Sequence, residues 1–275
     1  MIKDITLGQF FPGDSVIHKA DARVKVILCI FYIVMIFFAK SAASYLFLIL
    51  SSVTFILMSH IPFKTVLRSF RALIFIIVFT SVINLFWTKG EVLWVHLGAI
   101  KIYREGVIQA VKMVVRLACL LCTSGVILSY TTSPIALTDA LERLLSPLKK
   151  IRVPVHEFSM MMTIALRFIP TLVEETDKIM SAQKARGADF SSGGIIARVK
   201  SLVPVLIPLF VSAFRRADEL AVAMECRCYH GGKGRTRMTE MHLKPMDFAL
   251  IALFIASGAG IILLNYIHLS LYIPI

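Results

Sequence analysis

The feature that most restricts this chain is a set of long apolar runs. Four lie in the first half, at residues 26–39, 42–58, 72–87 and 107–130, and a fifth covers 248–264. Hydrophobic residues make up 57% of the 275-residue chain, above the roughly 45–50% of a soluble domain. An apolar run in lipid must satisfy its backbone groups internally, so it forms a helix. The predicted fold class is therefore an all-α integral membrane protein with about five transmembrane helices. The first run is short for a bilayer that needs ~20 residues; Arg23 and Lys25 would lengthen it by snorkelling.

The formal net charge is +13, but so apolar a chain needs lipid before nucleic acid. The cations instead report topology and contact with anionic head groups or acidic partners. Lys64, Arg68 and Arg71 follow the second run, whereas Lys40 alone follows the first. The positive-inside rule then places the N-terminus in the cytoplasm of a multi-pass cell-membrane protein. Residues 88–106 would be external, and VLWVHLGAIKIYREG alternates as a small hairpin does. Lys112 and Arg116, four residues apart at the start of the fourth run, are either snorkelling anchors or internal polar contacts. The tail NYIHLSLYIPI would lie outside. Cys29, Cys119, Cys122, Cys226 and Cys228 form no disulfide framework, and the first residues show no secretory signal.

Residues 131–247 carry seventeen Lys/Arg among acidic residues. Ser133-Pro134 is a good helix start, a cap followed by proline. Leu137, Leu141, Leu144, Leu145 and Leu148 then form one stripe, in a helix that Pro154 ends or interrupts. A second helix is expected over about 155–185, with Phe158, Met161, Ala165, Phe168, Leu172 and Ile179 along one face. A third is expected over about 195–226, bent at Pro204 and Pro208. Long amphipathic cytoplasmic helices thus complete the fold class. The expected organisation is a membrane region over 1–131, a cytoplasmic helical region over 132–245, and a last transmembrane helix with its tail over 246–275.

Those two long helices end alike. At an offset of 41, EETDKIMSAQKARG lies over RRADELAVAMECRC: Asp177 matches Asp218, Ala182 matches Ala223, and Arg186 matches Arg227. Each copy has a proline in its oily part, a small-Arg-small end, and a following glycine pair, Gly193-Gly194 or Gly231-Gly232. A cation in the last turn complements the helix dipole, and a glycine beyond it permits a left-handed cap. A single cap would need no copy. Two arginines with small flanks would enter two grooves, and guanidinium makes directional contacts to carboxylates or carbonyls. Two similar plugs suit a partner with two similar sockets, such as a dimer.

FFPGDSVIHKADARVK, TTSP at 131–134, Ala185-Arg186-Gly187 and Cys226-Arg227-Cys228 together make the chain resemble the transmembrane T component of energy-coupling factor transporters. The resemblance covers nearly all of it. It implies two ATP-binding-cassette ATPases, alike or different, that dock on coupling helices through Ala185, Arg186, Gly187, Cys226, Arg227 and Cys228. It implies one membrane S component that binds a vitamin or a transition-metal ion. It also implies no bound cofactor and no chemistry in this chain, with ATP held by the partner subunits. Cysteines replace the commoner Ala and Gly around Arg227.

Other readings are weaker. GGKGRTR at 231–237 lacks phosphate-loop spacing and a preceding strand, and reads as a basic turn. His156-Glu157 lacks the second His of a zinc protease. An intramembrane hydrolase using Glu174 and Glu175 as an acid/base pair would need buried polar partners that the five runs scarcely offer. A stand-alone secondary transporter would show two matching halves broken at mid-membrane, whereas the repeat here lies in the cytoplasmic part.

Overall fold

The computed structural model describes residues 10–88, 93–97, 100–190, 194–232 and 241–271. The described chain is helical apart from one hairpin: α1 Val16–Lys19, α2 Ala22–Phe38, α3 Ala42–Ser59, α4 Phe63–Trp87, β1 Leu93–Leu97, β2 Ile100–Tyr103, α5 Arg104–Ser124, α6 Pro134–Leu144, α7 Val155–Ala185, α8 Ile195–Cys226 and α9 Pro245–Leu271. α5 continues as a wider turn over Gly125–Tyr130. The described chain divides into two compact units, one built from the segments up to 140 and from 241 onward, the other from the segments between 141 and 240.

In the first unit, α2, α3, α5 and α9 pack together around Tyr32, Phe55 and Phe254. The Phe55 and Phe254 rings stack at 4.3 Å, and Tyr32 meets them edge-on at 5.4 and 5.8 Å. Tyr32 brings a hydroxyl into this core, and Ser51 and Ser52 meet it at 2.7 and 3.0 Å, as a buried phenol requires. α9 approaches closely because it is glycine there. A Cβ at Gly258 would sit 3.0 Å from Phe31, and one at Gly260 would sit 2.9 Å from Phe47. Large apolar residues also cover the outward faces, including Ile30, Leu46, Phe75 and Leu263. That pattern suits lipid rather than water. Ala42–Ser59, Arg104–Tyr130 and Pro245–Tyr266 are long and apolar enough to cross a membrane. The other two expected spans are the 17-residue α2 and α4, whose apolar part is Ile74–Trp87.

Two polar layers bound these helices. In one, Lys25, 3% exposed, donates from Nζ to the carbonyls of Thr131 (2.8 Å) and His18 (3.2 Å). Asp21 caps α2 and pairs with Arg23 at 2.6 Å. Fully buried Asp247 accepts from the Asp21 N–H at 2.9 Å and the Lys244 N–H at 2.7 Å. His18 Nε2 donates to the Phe11 carbonyl at 2.8 Å, and the Phe11 N–H donates to the Tyr130 carbonyl at 2.9 Å. The Ser-His-Asp-x-Arg-x-Lys signature is thus a knot joining the starts of α2 and α9 to the end of α5. In the other layer, Asn265 Oδ1 accepts from the backbone N–H groups of Lys40 and Ser41, both at 3.1 Å, and from Ser44 Oγ at 2.8 Å. Its Nδ2 donates to the Phe38 carbonyl at 2.6 Å. Lys112 and Arg116 join this layer. The layers lie ~27 Å apart along both α2 and α9 at 1.5 Å per residue, close to the ~30 Å hydrocarbon slab.

Several boundaries differ from the expected ones. Lys64, Arg68 and Arg71 lie on the first turns of α4, not in a loop. α9 continues past residue 264 to Leu271, so most of the expected tail is helical. The hairpin forms, pairing Val95 with Ile102 and Leu97 with Ile100. The leucine-striped helix does not reach Pro154. Ser133 Oγ caps it by accepting from the Ala136 N–H at 3.2 Å, but α6 stops at Leu144 and a 3-10 turn covers Ser146–Ile151. Pro147 is the reason: it has no N–H for the next α turn and disfavours the α conformation at Ser146.

Candidate functional site

Both arginines of the sequence repeat end a long helix. Arg186 closes α7 with φ −86° and ψ 7°, and Arg227 closes α8 with φ −92° and ψ 16°. The next residue in each case is left-handed: Gly187 at φ 87° and Cys228 at φ 55°. The hydrogen bonds repeat too. Gly187 N–H donates to the Lys184 carbonyl (2.9 Å), and Ala188 N–H to the Gln183 carbonyl (3.0 Å). Cys228 N–H donates to the Glu225 carbonyl (2.8 Å), and Tyr229 N–H to the Met224 carbonyl (3.0 Å). This is the Schellman motif twice, so three sequence identities stand for one backbone geometry.

Ala185, Arg186, Gly187, Cys226, Arg227 and Cys228 are all exposed. Among the described residues, neither arginine makes an ion pair. A Cβ built on Gly187 meets nothing within 4 Å, so the backbone angle, not crowding within the chain, calls for glycine there. Cys226 and Cys228 carry free exposed thiols. No three His, Cys, Asp or Glu side chains converge as metal ligands among the described residues.

α7 and α8 have the bounds expected from the sequence, and they pack as an antiparallel pair. Phe168 and Leu172 face Ala213, Ala217 and Leu220 across an open apolar groove. Glu175 ties the pair by accepting from Ser212 Oγ at 2.6 Å and from Arg216 at 2.5 Å, and Gln183 Nε2 donates to the Pro204 carbonyl at 3.3 Å. Continued along the pair, these levels set Arg227 near the height of Met160, so the two arginines lie toward opposite ends of the pair, ~39 Å apart along α7 at 1.5 Å per residue.

Sequence reading missed the tie between Glu175 and Arg216. Its signal was present, since both fall on the inward faces of their helices. Glu174 is exposed, whereas Glu175 is engaged by Ser212 and Arg216. His156 Nδ1 lies 3.0 Å from Glu142 Oε1. Gly232 packs on the same ring, where a Cβ would come within 2.4 Å of Cδ2. The chain leaving α8 is therefore held at the start of α7. Gly193 and the basic stretch 233–237 lie outside the described residues; Gly194 is the N-cap of α8.

A family model described as cobalt transport protein, CbiQ, matches residues 13–238. The chain is 52% identical over 267 residues to the energy-coupling factor transporter transmembrane protein EcfT of Ruminiclostridium cellulolyticum, a match covering 97% of this chain and 99% of that one. It is 53% identical over 259 residues to the protein of the same name from Acidaminococcus fermentans, covering 93% and 96%. Against that of Bacillus subtilis it is 41% identical over 259 residues, covering 94% and 97%. The matched region runs from the knot at the start of α2 through both arginine-tipped helices, and the chain belongs to the CbiQ cobalt transport protein family.

Proposed function

We propose that the chain is the transmembrane component of an energy-coupling factor transporter, in which α7 and α8 carry motion from two cytosolic ABC ATPases to a substrate-binding S component. The cargo is a vitamin or a transition-metal ion chosen by that S component. The N-terminus faces the cytoplasm, and this chain performs no chemistry of its own. One observation supports the reading most: the same exposed arginine, ahead of the same left-handed residue, ends each helix of one packed pair. A dimer of ATPases presents two equivalent grooves, and two equivalent plugs held apart by a continuous helix couple their closure to the membrane.

The test is Arg186→Glu with Arg227→Glu, made in the full chain and expressed with its ATPases and S component. The variant is expected in the membrane at wild-type amount, but without co-purifying ATPase and without substrate uptake. Normal assembly of the double variant would sink the docking role. Each single variant is expected to assemble weakly, because one socket remains filled.

A further inference from the structure

Three cations gather in the polar layer opposite the knot. Lys112 Nζ donates to the Lys40 carbonyl at 3.2 Å, which brings Lys112 beside exposed Lys40. Arg116 donates to Tyr45 Oη at 2.7 Å and to the Ala39 carbonyl at 3.4 Å. Its guanidinium lies 5.7 Å from the Phe37 ring centre and 5.9 Å from that of Tyr45.

These carbonyls satisfy only part of the cluster. The C-terminus of α2 offers about half a negative charge against three positive ones. Arg116 Nε is buried and without a partner, and Lys112 retains donors beyond its one bond. Among the described residues no ion pair engages Lys40, Lys112 or Arg116. Glu105, the nearest acid along α5, is about two helical turns away, ~10 Å along the axis. Uncompensated cations at the edge of a hydrocarbon slab are costly unless an anion of the interface meets them.

We infer that Lys40, Lys112 and Arg116 form a binding site for the phosphate of an anionic phospholipid, in the leaflet opposite the starts of α2 and α9. The phosphodiester oxygens accept from Lys112, Lys40 and the terminal N–H groups of Arg116 that the Tyr45 and Ala39 contacts leave over. The acyl chains lie along Phe37 and Phe38, which are 59% and 55% exposed at the same level. The two exposed phenylalanines beside the cations favour a lipid phosphate over a soluble one, because acyl chains would cover them.

The experiment uses the full chain in nanodiscs of equal phosphatidylglycerol and phosphatidylcholine, with retained lipids counted by native mass spectrometry after delipidation. Lys40→Gln/Lys112→Gln keeps the bonds of Arg116. Lys149→Gln/Lys150→Gln, both exposed, is the control of equal charge change. Phosphatidylglycerol retention is expected to fall roughly tenfold or more in the first variant and to stay at the wild-type level in the control. Lys40→Gln alone, which leaves every side-chain bond intact, is expected to give a smaller loss in the same direction. Wild-type retention in Lys40→Gln/Lys112→Gln would overturn the site. So would displacement of the lipid by inorganic phosphate alone, which would mark a soluble-anion site. Cross-linking of Lys112 to an acidic segment of a partner membrane protein, with no lipid retained, would also overturn it.

Discussion

Cys228 occupies a backbone conformation that Gly187 occupies in the companion helix end. An L-residue in the left-handed region carries a steric cost of roughly 1 kcal/mol that glycine avoids. Cys228→Gly is therefore expected to tighten the end of α8, raising amide-exchange protection at Cys228 and Tyr229, whose N–H groups close the cap. Gly187→Ala should do the reverse at the end of α7, loosening it by about 1 kcal/mol. Because the space around Gly187 is open, any larger loss of assembly from this variant reports a partner's surface. The pattern small-Arg-small was legible from sequence. That the third residue is a left-handed pivot in both copies was not, because cysteine carries no signal for positive φ.

The α7–α8 pair shows where periodicity suffices and where it fails. Both helices have the bounds expected from their long 3.6-residue patterns, with Gly187 after α7 and Gly194 before α8 as further constraints. α6 was predicted too long, since its leucine spacing continues past Pro147 while the backbone cannot. The polar tie across the pair sets the register. Glu175→Ala removes the partner of both Ser212 and Arg216, and partly exposed as that pair is, the expected cost is about 1 kcal/mol. Glu174→Ala, on the exposed side, is expected to change nothing measurable. Thermal unfolding in detergent distinguishes the two. Coupling is expected to follow stability: Glu175→Ala should lower transport while leaving ATPase co-purification intact, because the arginines are untouched.

For the whole molecule, the membrane unit is held by buried polar contacts at its two faces as much as by its apolar core. Asp247→Ala leaves the N–H groups of Asp21 and Lys244 without their acceptor, and should cost about 2 kcal/mol. Asp247→Asn keeps one carbonyl acceptor and should cost less, so the thermal midpoint in detergent is expected to rank wild type, then Asn, then Ala. Gly260→Leu drives a side chain into Phe47 and should separate α9 from α3, lowering that midpoint further.

The amino-acid sequence alone determined the membrane class, the long helices and the duplicated arginine, because each rests on local composition or on a repeat within one stretch. It also displayed the Asp-x-Arg-x-Lys signature without its meaning. Only the tertiary structure decided that Lys25 spans to Thr131, that Asp247 closes on Asp21, and that Lys112 and Arg116 collect around the end of α2. Those partners lie up to 226 residues apart. A buried polar group is satisfied by whatever the fold brings within 3 Å or so, and sequence spacing carries no record of that distance.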